Sequence, residues 1–480
     1  MKPSVRVLPR SVGILLCLVI AGSLYAETIG RIQPYTENPR YWQYRGKPIL
    51  LLGGTKDDNL FQISDLREHL DLLAACGGNY IRNAMSARDA GNVQPFRRLA
   101  GGKYDLMQCN SQYWRRLEHL LQLTHQRKIF VQIEVWAFHD FNQKTWLENP
   151  WRPANNVNYT HENTTLRNES VNLGSRKQEF FFTVPAIDDH QIVLQHQQRY
   201  IDKIIEYTLK YDHVLYCITN EIHPQFPPQW GWYWADYIRT VASRAGKQIE
   251  VTEMFWQPDM RSGQHEASFG HPEIYSYFEC SQNSANSGEE NGQYMQYVHS
   301  QLQDHPRPIN HVKIYGADTG PSWAGKSVNA ERRFWRNIIG GSASSRFHRP
   351  PAGIGLSDTA QSHIRSARLL ISELDIFSCR PDIDYHLLKD RAPDEAYLIY
   401  QTGAQYAVFF PAGGAVGLDL TDATGSFHLK WLNIHRSAWG KTSTAEAGSV
   451  VRLKAPDAGL WLALLQNAAK DHLAAASSGK

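Results

Sequence analysis

From residue 48 to 378 the chain repeats one unit: a short apolar run, then a longer stretch with apolar residues every three or four positions. Strand-length runs alternating with amphipathic helix-length stretches build a parallel sheet, since each helix carries the chain back to the edge where the next strand begins. Eight runs qualify, at 48–54 (PILLLGG), 79–85, 129–138, 213–221, 248–256, 273–279, 311–318 and 341–348. Runs without polar alternation, such as 48–52, fit strands covered on both faces. Between them, Asp65 with Glu68 three residues later reads as a capping box, with Leu66, Leu70 and Leu73 on one stripe and Gly77 as the stop. Eight strand–helix units predict an α/β fold, a (β/α)8 TIM barrel. A doubly wound open sheet is the alternative, but the first turn, GGTKDDN, lacks the glycine-rich phosphate fingerprint of that fold.

After residue 385 the pattern changes to short alternating runs at roughly ten-residue intervals between Gly, Asp and Pro turns, the signature of a small antiparallel β-sandwich. Alternation at Val416, Leu418, Leu420 and at Phe427, Leu429, Trp431 predicts one wet sheet face. The first residues combine a basic start, an apolar stretch over 12–21 and small residues near Ala26, which reads as a secretory signal. The expected division is 1–26 signal peptide, 27–385 barrel, 386–470 sandwich and 471–480 disordered tail. Export places the protein outside the cytoplasm, secreted or periplasmic, and no other segment is apolar enough to span a bilayer.

Lysine and arginine nearly balance the acids, at a formal +3, without a long basic run, so no nucleic-acid partner is expected. Beyond Cys17 in the leader, five cysteines at wide spacings make neither a disulfide framework nor a zinc pattern. The histidines show no H-E-x-x-H, so neither a catalytic metal nor a cofactor is expected, and no G-x-S-x-G elbow points to a serine esterase. About fifty residues between the third run and its helix exceed the usual length of such connections and read either as a substrate-covering loop or as a disordered one.

In a barrel, polar residues at the carboxyl ends of the strands converge on one mouth. The ends here supply Lys56, Asp57, Asp58, Arg82, Asn83, Glu134, Trp136, His139, Asp140, Asn220, Glu221, His223, Glu253, Trp256, Tyr275, Glu279, Lys313, Asp318, Arg346 and His348, and Trp323 is a further candidate. Fourteen Trp and 23 Tyr suit sugar faces, and a pair of carboxyl groups suits glycosidic bond cleavage, one protonated to release the leaving oxygen and one ionised as nucleophile or base. Glu221 is the acid candidate, with Asn220 beside it to donate to a sugar hydroxyl.

CITNEIHP at the end of the fourth run resembles the Asn-Glu signature of glycoside hydrolase clan A, the retaining (β/α)8 hydrolases. NYIRN on the second run and Tyr275 on the sixth extend the likeness, and the C-terminal region is similar to the collagen-binding-type β-sandwich that follows such barrels. The resemblance implies a retaining glycosidase acting on a polysaccharide or glycoconjugate, with Glu221 as general acid/base. It also implies a glutamate nucleophile at the end of strand seven, where this sequence offers Asp318, one methylene shorter. Glu279 and Glu253 are the alternative partners. Arg82, Arg346 and His348 would orient the carboxylates, and Asn83, Trp136, His139, Trp256, Tyr275 and Trp323 would contact the carbohydrate. A non-catalytic sugar-binding barrel, or adhesion through the C-terminal region, are the rival readings.

Overall fold

A computed structural model of the chain describes residues 30–170, 172 and 178–469. The expected signal peptide and the tail after residue 470 lie outside the described residues.

Seven of the eight predicted runs carry parallel strands, and the seventh strand forms just before its run at 311–318: β1 (Leu51–Gly54), β2 (Tyr80–Ala84), β3 (Phe130–Trp136), β4 (Val214–Thr219), β5 (Val251–Thr252), β6 (Phe278–Glu279), β7 (Ile309–Asn310) and β8 (Ser344–Phe347). Strands β2 to β5 form one parallel sheet in chain order, β6 pairs with β7, and β8 pairs with β1. Backbone bonds bridge the seams, from Asn79 to Leu52 at 2.8 Å, Ser276 to Val251 at 3.0 Å and Ala343 to Ile309 at 2.8 Å. The architecture is therefore mixed α/β, and every residue of these strands is buried. Gly53 permits the close approach of β1 to its neighbour, because a Cβ there would stand 1.9 Å from the Tyr80 carbonyl oxygen.

A helix follows each strand: α1 (Leu66–Ala75), α2 (Ser111–Gln126), α3 (Gln191–Thr208), α4 (Gln229–Arg244), α5 (Gly263–Phe269), α6 (Gly288–Gln301), α7 (Ser327–Ile339) and α8 (Asp358–Ile371). Asn110 caps α2 and Ser357 caps α8 through their side chains. The capping box expected at Asp65 does not form: its carboxylate pairs with Lys56 instead. The first run is also split. Lys47–Ile49 belongs to an antiparallel sheet with Gln33–Pro34 and Trp42–Tyr44, and only 51–54 joins the parallel strands. Trp42 of that small sheet donates to Asn310 and packs on Tyr277, so the sheet covers the amino ends of the strands.

The long insertion after β3 does not float. Its Trp151, Phe180 and Phe181 pack against Trp136, Trp230 and Phe226 in one aromatic cluster, which explains its ordered course where described.

In the C-terminal region the expected short runs are strands, in two antiparallel sheets. We number them β9 (Arg380–Pro381), β10 (Leu388–Lys389), β11 (Tyr397–Gln401), β12 (Gln405–Phe410), β13 (Ala415–Asp419), β14 (Ser426–Asn433), β15 (Ala438–Trp439), β16 (Ser443–Glu446), β17 (Val450–Lys454) and β18 (Trp461–Asn467). The larger sheet runs β9-β11-β12-β18-β14-β15, with β16 beside β14, and the smaller runs β10-β13-β17. In the smaller sheet alternation leaves one face wet as expected, with Val416 and Leu418 buried and Arg452, Lys454 and Lys389 exposed, whereas neither face of the larger sheet is wet at its centre. Leu398, Val408 and Phe410 enter a core with Val416 and Leu418 of the small sheet. Ile399, Ala407 and Phe409 point the other way into the main core, where Phe409 stacks on Trp335 of α7. Ion pairs flank this seam, Arg336 with Asp394 and Arg391 with Glu289. Exposing several large side chains at about 1.5–3 kcal/mol each would rival the whole stability of a domain. Truncation after residue 385 is therefore expected to give insoluble protein; a soluble, cooperatively melting fragment would show that the shared core is dispensable.

Candidate functional site

The carboxyl ends of the parallel strands open on a cavity of about 660 Å³. Glu221 is one of the charged residues that line it. The Asn220 N–H donates to the Trp136 carbonyl, continuing the pairing of β4 with β3, and at Glu221 the backbone flips to φ 61° before Ile222 donates to Met254. A left-handed glutamate costs free energy that the surrounding pairing must supply, and such strain concentrates where a side chain is being aimed. Here the flip turns the carboxylate into the cavity.

Four side chains hold that carboxylate. Its Oε1 accepts from the Gln282 amide at 2.9 Å, the Tyr315 hydroxyl at 2.9 Å and the Lys313 ammonium, while Oε2 lies 2.9 Å from His139 Nε2. Lys313 also donates to the Asn220 side chain. Burial by itself raises the Glu221 carboxyl, but Lys313 and His139 outweigh it and hold the group well below the usual carboxylate range. Glu221 is thus ionised at rest. That is the reverse of what a proton donor requires.

Lys313 and Tyr315 owe their positions to Ser281. Its hydroxyl oxygen accepts the N–H groups of Val312 and Lys313 at 2.7 and 3.0 Å and its proton goes to Glu279, which fixes the chain just beyond β7. The backbone stays extended to Ile314, which bridges to Phe347, so residues 313 and 315 share one side.

A second carboxylate, Asp58, lines the same cavity. Arg82 approaches it at 2.8 Å, Arg349 at 2.7 Å, Arg88 at 3.4 Å and His348 at 3.8 Å. Burial raises its carboxyl, and the combined pull of Arg82, His348, Arg349 and Arg88 takes it well below the ordinary value. Burial keeps the His348 imidazole well below its ordinary value as well. Trp256 and Trp323 contribute half-exposed rings to the cavity, at 40% and 57% exposure.

The expected site residues divide accordingly. Asn220, Glu221, His139, His348, Trp256 and Trp323 line the cavity. Asp318 does not: it is exposed and accepts from the Ser327 N–H and hydroxyl at 3.2 and 2.9 Å, anchoring the start of α7. The turn at Gly316, φ 131°, carries it away from the run that Lys313 and Tyr315 occupy. Glu279 is buried beneath, bonded to Ser281 and Gln132, with burial pushing it up to about 7. Glu253 is likewise buried, accepting from Thr219 and Met254, and burial raises it well above the ordinary value. Neither lines the cavity. Arg82 is wholly buried between Asp58 and Glu134, and Arg346, pushed down to about 9 by burial and by Arg82, donates to the Val312 carbonyl. Asn83 accepts from the Phe61 N–H, Trp136 belongs to the aromatic cluster, and Tyr275 precedes β6 in the core beside Glu253. These five support the site from within the fold and offer no surface to a ligand. Sequence reasoning passed over Tyr315, Gln282, Arg88 and Arg349; only Tyr315 carried a local signal, being two residues from Lys313 on an extended run.

Residues 87–254 match a family described as a domain of unknown function, DUF6298. No curated protein sequence matches the chain. Among solved structures, a glycoside hydrolase family 5 protein from Bacteroides vulgatus superposes with a TM-score of 0.65 at 13% identity, over 93% of this chain and 95% of that one. A second glycoside hydrolase gives 0.63 at 11% identity, over 93% and 99%. A maltogenic α-amylase from Thermotoga neapolitana gives 0.52 at 11%, over 87% and 98%. At these identities the likeness establishes a common fold.

Proposed function

We propose that the chain is an exported glycoside hydrolase on a (β/α)8 barrel, cleaving O-glycosidic bonds of a polysaccharide or glycoconjugate at this cavity. One observation carries the reading: the Asn220–Glu221 pair at the end of β4 presents a carboxylate to a cavity that also exposes two tryptophan rings. Tryptophan faces stack on the apolar faces of sugars, and an ionised carboxylate stabilises the oxocarbenium-like transition state of glycoside cleavage.

The geometry favours a different role for Glu221 from the one its neighbourhood in sequence implies. Held ionised by Lys313 and its other donors, it acts as the anionic partner, nucleophile or electrostatic stabiliser. His139, hydrogen-bonded to it and partly open to the cavity, is the group placed to pass a proton to the leaving oxygen. The C-terminal sheets brace the barrel through a shared core, and we assign them that structural role.

A second reading is favoured by Lys313. It faces Glu221 from beyond β7, where a retaining pair would need a carboxylate, and its positive charge neutralises the group that remains. On that reading the cavity binds a glycan without cleaving it.

Turnover of a broad glycan panel, followed from pH 3 to 8, separates these. An ionised Glu221 gives a rate that falls as the pH drops through its depressed carboxyl pKa. A rate that climbs steadily with acidity would return Glu221 to the proton donor's role. Binding of a glycan with no cleavage of any would establish the second reading.

A further inference from the structure

The amino ends of the strands, opposite the cavity, hold a cluster that the proposed hydrolysis does not use. His213 immediately precedes β4, Asp212 precedes it, and His125 lies in the last turn of α2. Each offers one atom, and the three atoms lie within 4.8 Å of one another. His125 Nδ1 stands 3.5 Å and His213 Nδ1 4.0 Å from Asp212 Oδ1.

Two observations distinguish this from an ordinary ion pair. First, the contacts of Thr124 assign a tautomer to His213. Thr124 Oγ1 directs its single proton at the Leu120 and Leu121 carbonyls, 2.8 and 3.1 Å away, so at its 2.9 Å contact with His213 Nε2 it is the acceptor. Nε2 therefore bears the proton and Nδ1 keeps a free lone pair, the arrangement in which an outer hydrogen bond orients a metal-binding imidazole. Second, that Nδ1 and the facing Asp212 Oδ1 are buried and have no hydrogen-bond partner, although His213 is only 2% exposed. Buried polar atoms ordinarily find one. The other Asp212 oxygen is tied to Arg45 at 3.1 Å, which leaves Oδ1 pointing at the two imidazoles.

We propose that His125, Asp212 and His213 bind a divalent transition cation of the zinc class, with water completing the coordination. Two imidazoles and one carboxylate suit such an ion, and tetrahedral ligands at about 2.0–2.1 Å stand about 3.4 Å apart, close to the spacings present. The site ties β4 to α2 and, through Asp212 and Arg45, to the amino-terminal sheet. It is structural in kind and remote from the cavity. Glu331, His363 and His435 form another cluster of this composition. There, however, Trp335 Nε1–H donates to His363 Nδ1 at 2.9 Å, which places the proton on Nε2 toward Glu331 and leaves no lone pair for an ion.

Titration of the tag-free, chelator-treated full chain with Co²⁺, read by its visible absorption, tests the proposal. One equivalent should bind and be displaced by Zn²⁺, and Zn²⁺ should raise the melting temperature. His125 is 43% exposed on its side chain, so His125→Ala should fold and bind at least 10-fold more weakly, without the Zn²⁺-dependent rise in melting temperature. His435→Ala should behave as the parent. Absence of stoichiometric binding, equal binding by His125→Ala, or loss in His435→Ala would each overturn it.

Discussion

Glu221→Gln is expected to lower turnover about 10³-fold or more, because the substitution keeps the shape and the hydrogen-bond acceptor but removes the charge that would stabilise the cationic transition state. The same change has a second, separable effect. Lys313 is buried, with 2% of its side chain exposed, and Glu221 is its anionic partner. Removing one member of a buried pair leaves the other uncompensated, at a cost of about 3–5 kcal/mol where burial is complete. The single variant should therefore be both inactive and less stable. Glu221→Gln combined with Lys313→Met restores a neutral, well-filled site, so the double variant should recover much of the melting temperature and none of the turnover. Kinetics and thermal denaturation on the three proteins check this. Activity retained by Glu221→Gln would remove Glu221 from the chemistry, and a double variant no more stable than the single one would mean that the Lys313 contact contributes little.

The parallel architecture was legible because it rests on periodicity: β3 and β4 are largely apolar and buried at every position, and α1 begins at Leu66, the first residue of its predicted stripe. The site was legible only where position along a strand determines direction. Asn220 and Glu221 end a long strand, and they reach the cavity. Around β7 the paired segment is two residues, 309–310, and the extended run beyond it is held by Ser281, a residue from another unit. Nothing local marks that contact. Shifting the strand's end from 318 to this run exchanges Asp318 for Lys313 and Tyr315, and with them the sign of the charge facing Glu221. Trp136 misled for a related reason: a large ring at a strand end serves a sugar or a core equally, and the insertion supplied the aromatic residues that buried it. His125 and His213 lie 88 positions apart and meet only because α2 and β4 do.

Arg82→Met is expected to be the most damaging single substitution to folding. Arg82 is fully buried and donates to two buried carboxylates, Asp58 at 2.8 Å and Glu134 at 2.5 Å. Asp58 keeps Arg349, Arg88 and His348 when Arg82 goes, but Glu134 loses its ion-pair partner, and its other oxygen already lacks a hydrogen bond. An unpaired buried carboxylate costs about 3–5 kcal/mol, against a total stability of about 5–15 kcal/mol, so the variant should fold poorly near neutral pH. The pH dependence follows from Asp58. Its carboxyl lies below the ordinary value in the folded chain, Arg82 being the strongest of the cations that hold it there against burial. A group depressed on folding contributes stability above its unfolded pKa, about 3.9, and that contribution disappears as the pH falls through the folded value. Without Arg82 the depression is smaller, so less is lost on acidification. The melting-temperature gap between parent and Arg82→Met should consequently be widest at pH 7 and narrow below pH 4, and Arg82→Met with Glu134→Leu should recover part of it at neutral pH because the orphaned charge is gone. A gap that is small at pH 7, or that widens in acid, would mean that Arg82 holds the cavity wall by packing and not by charge.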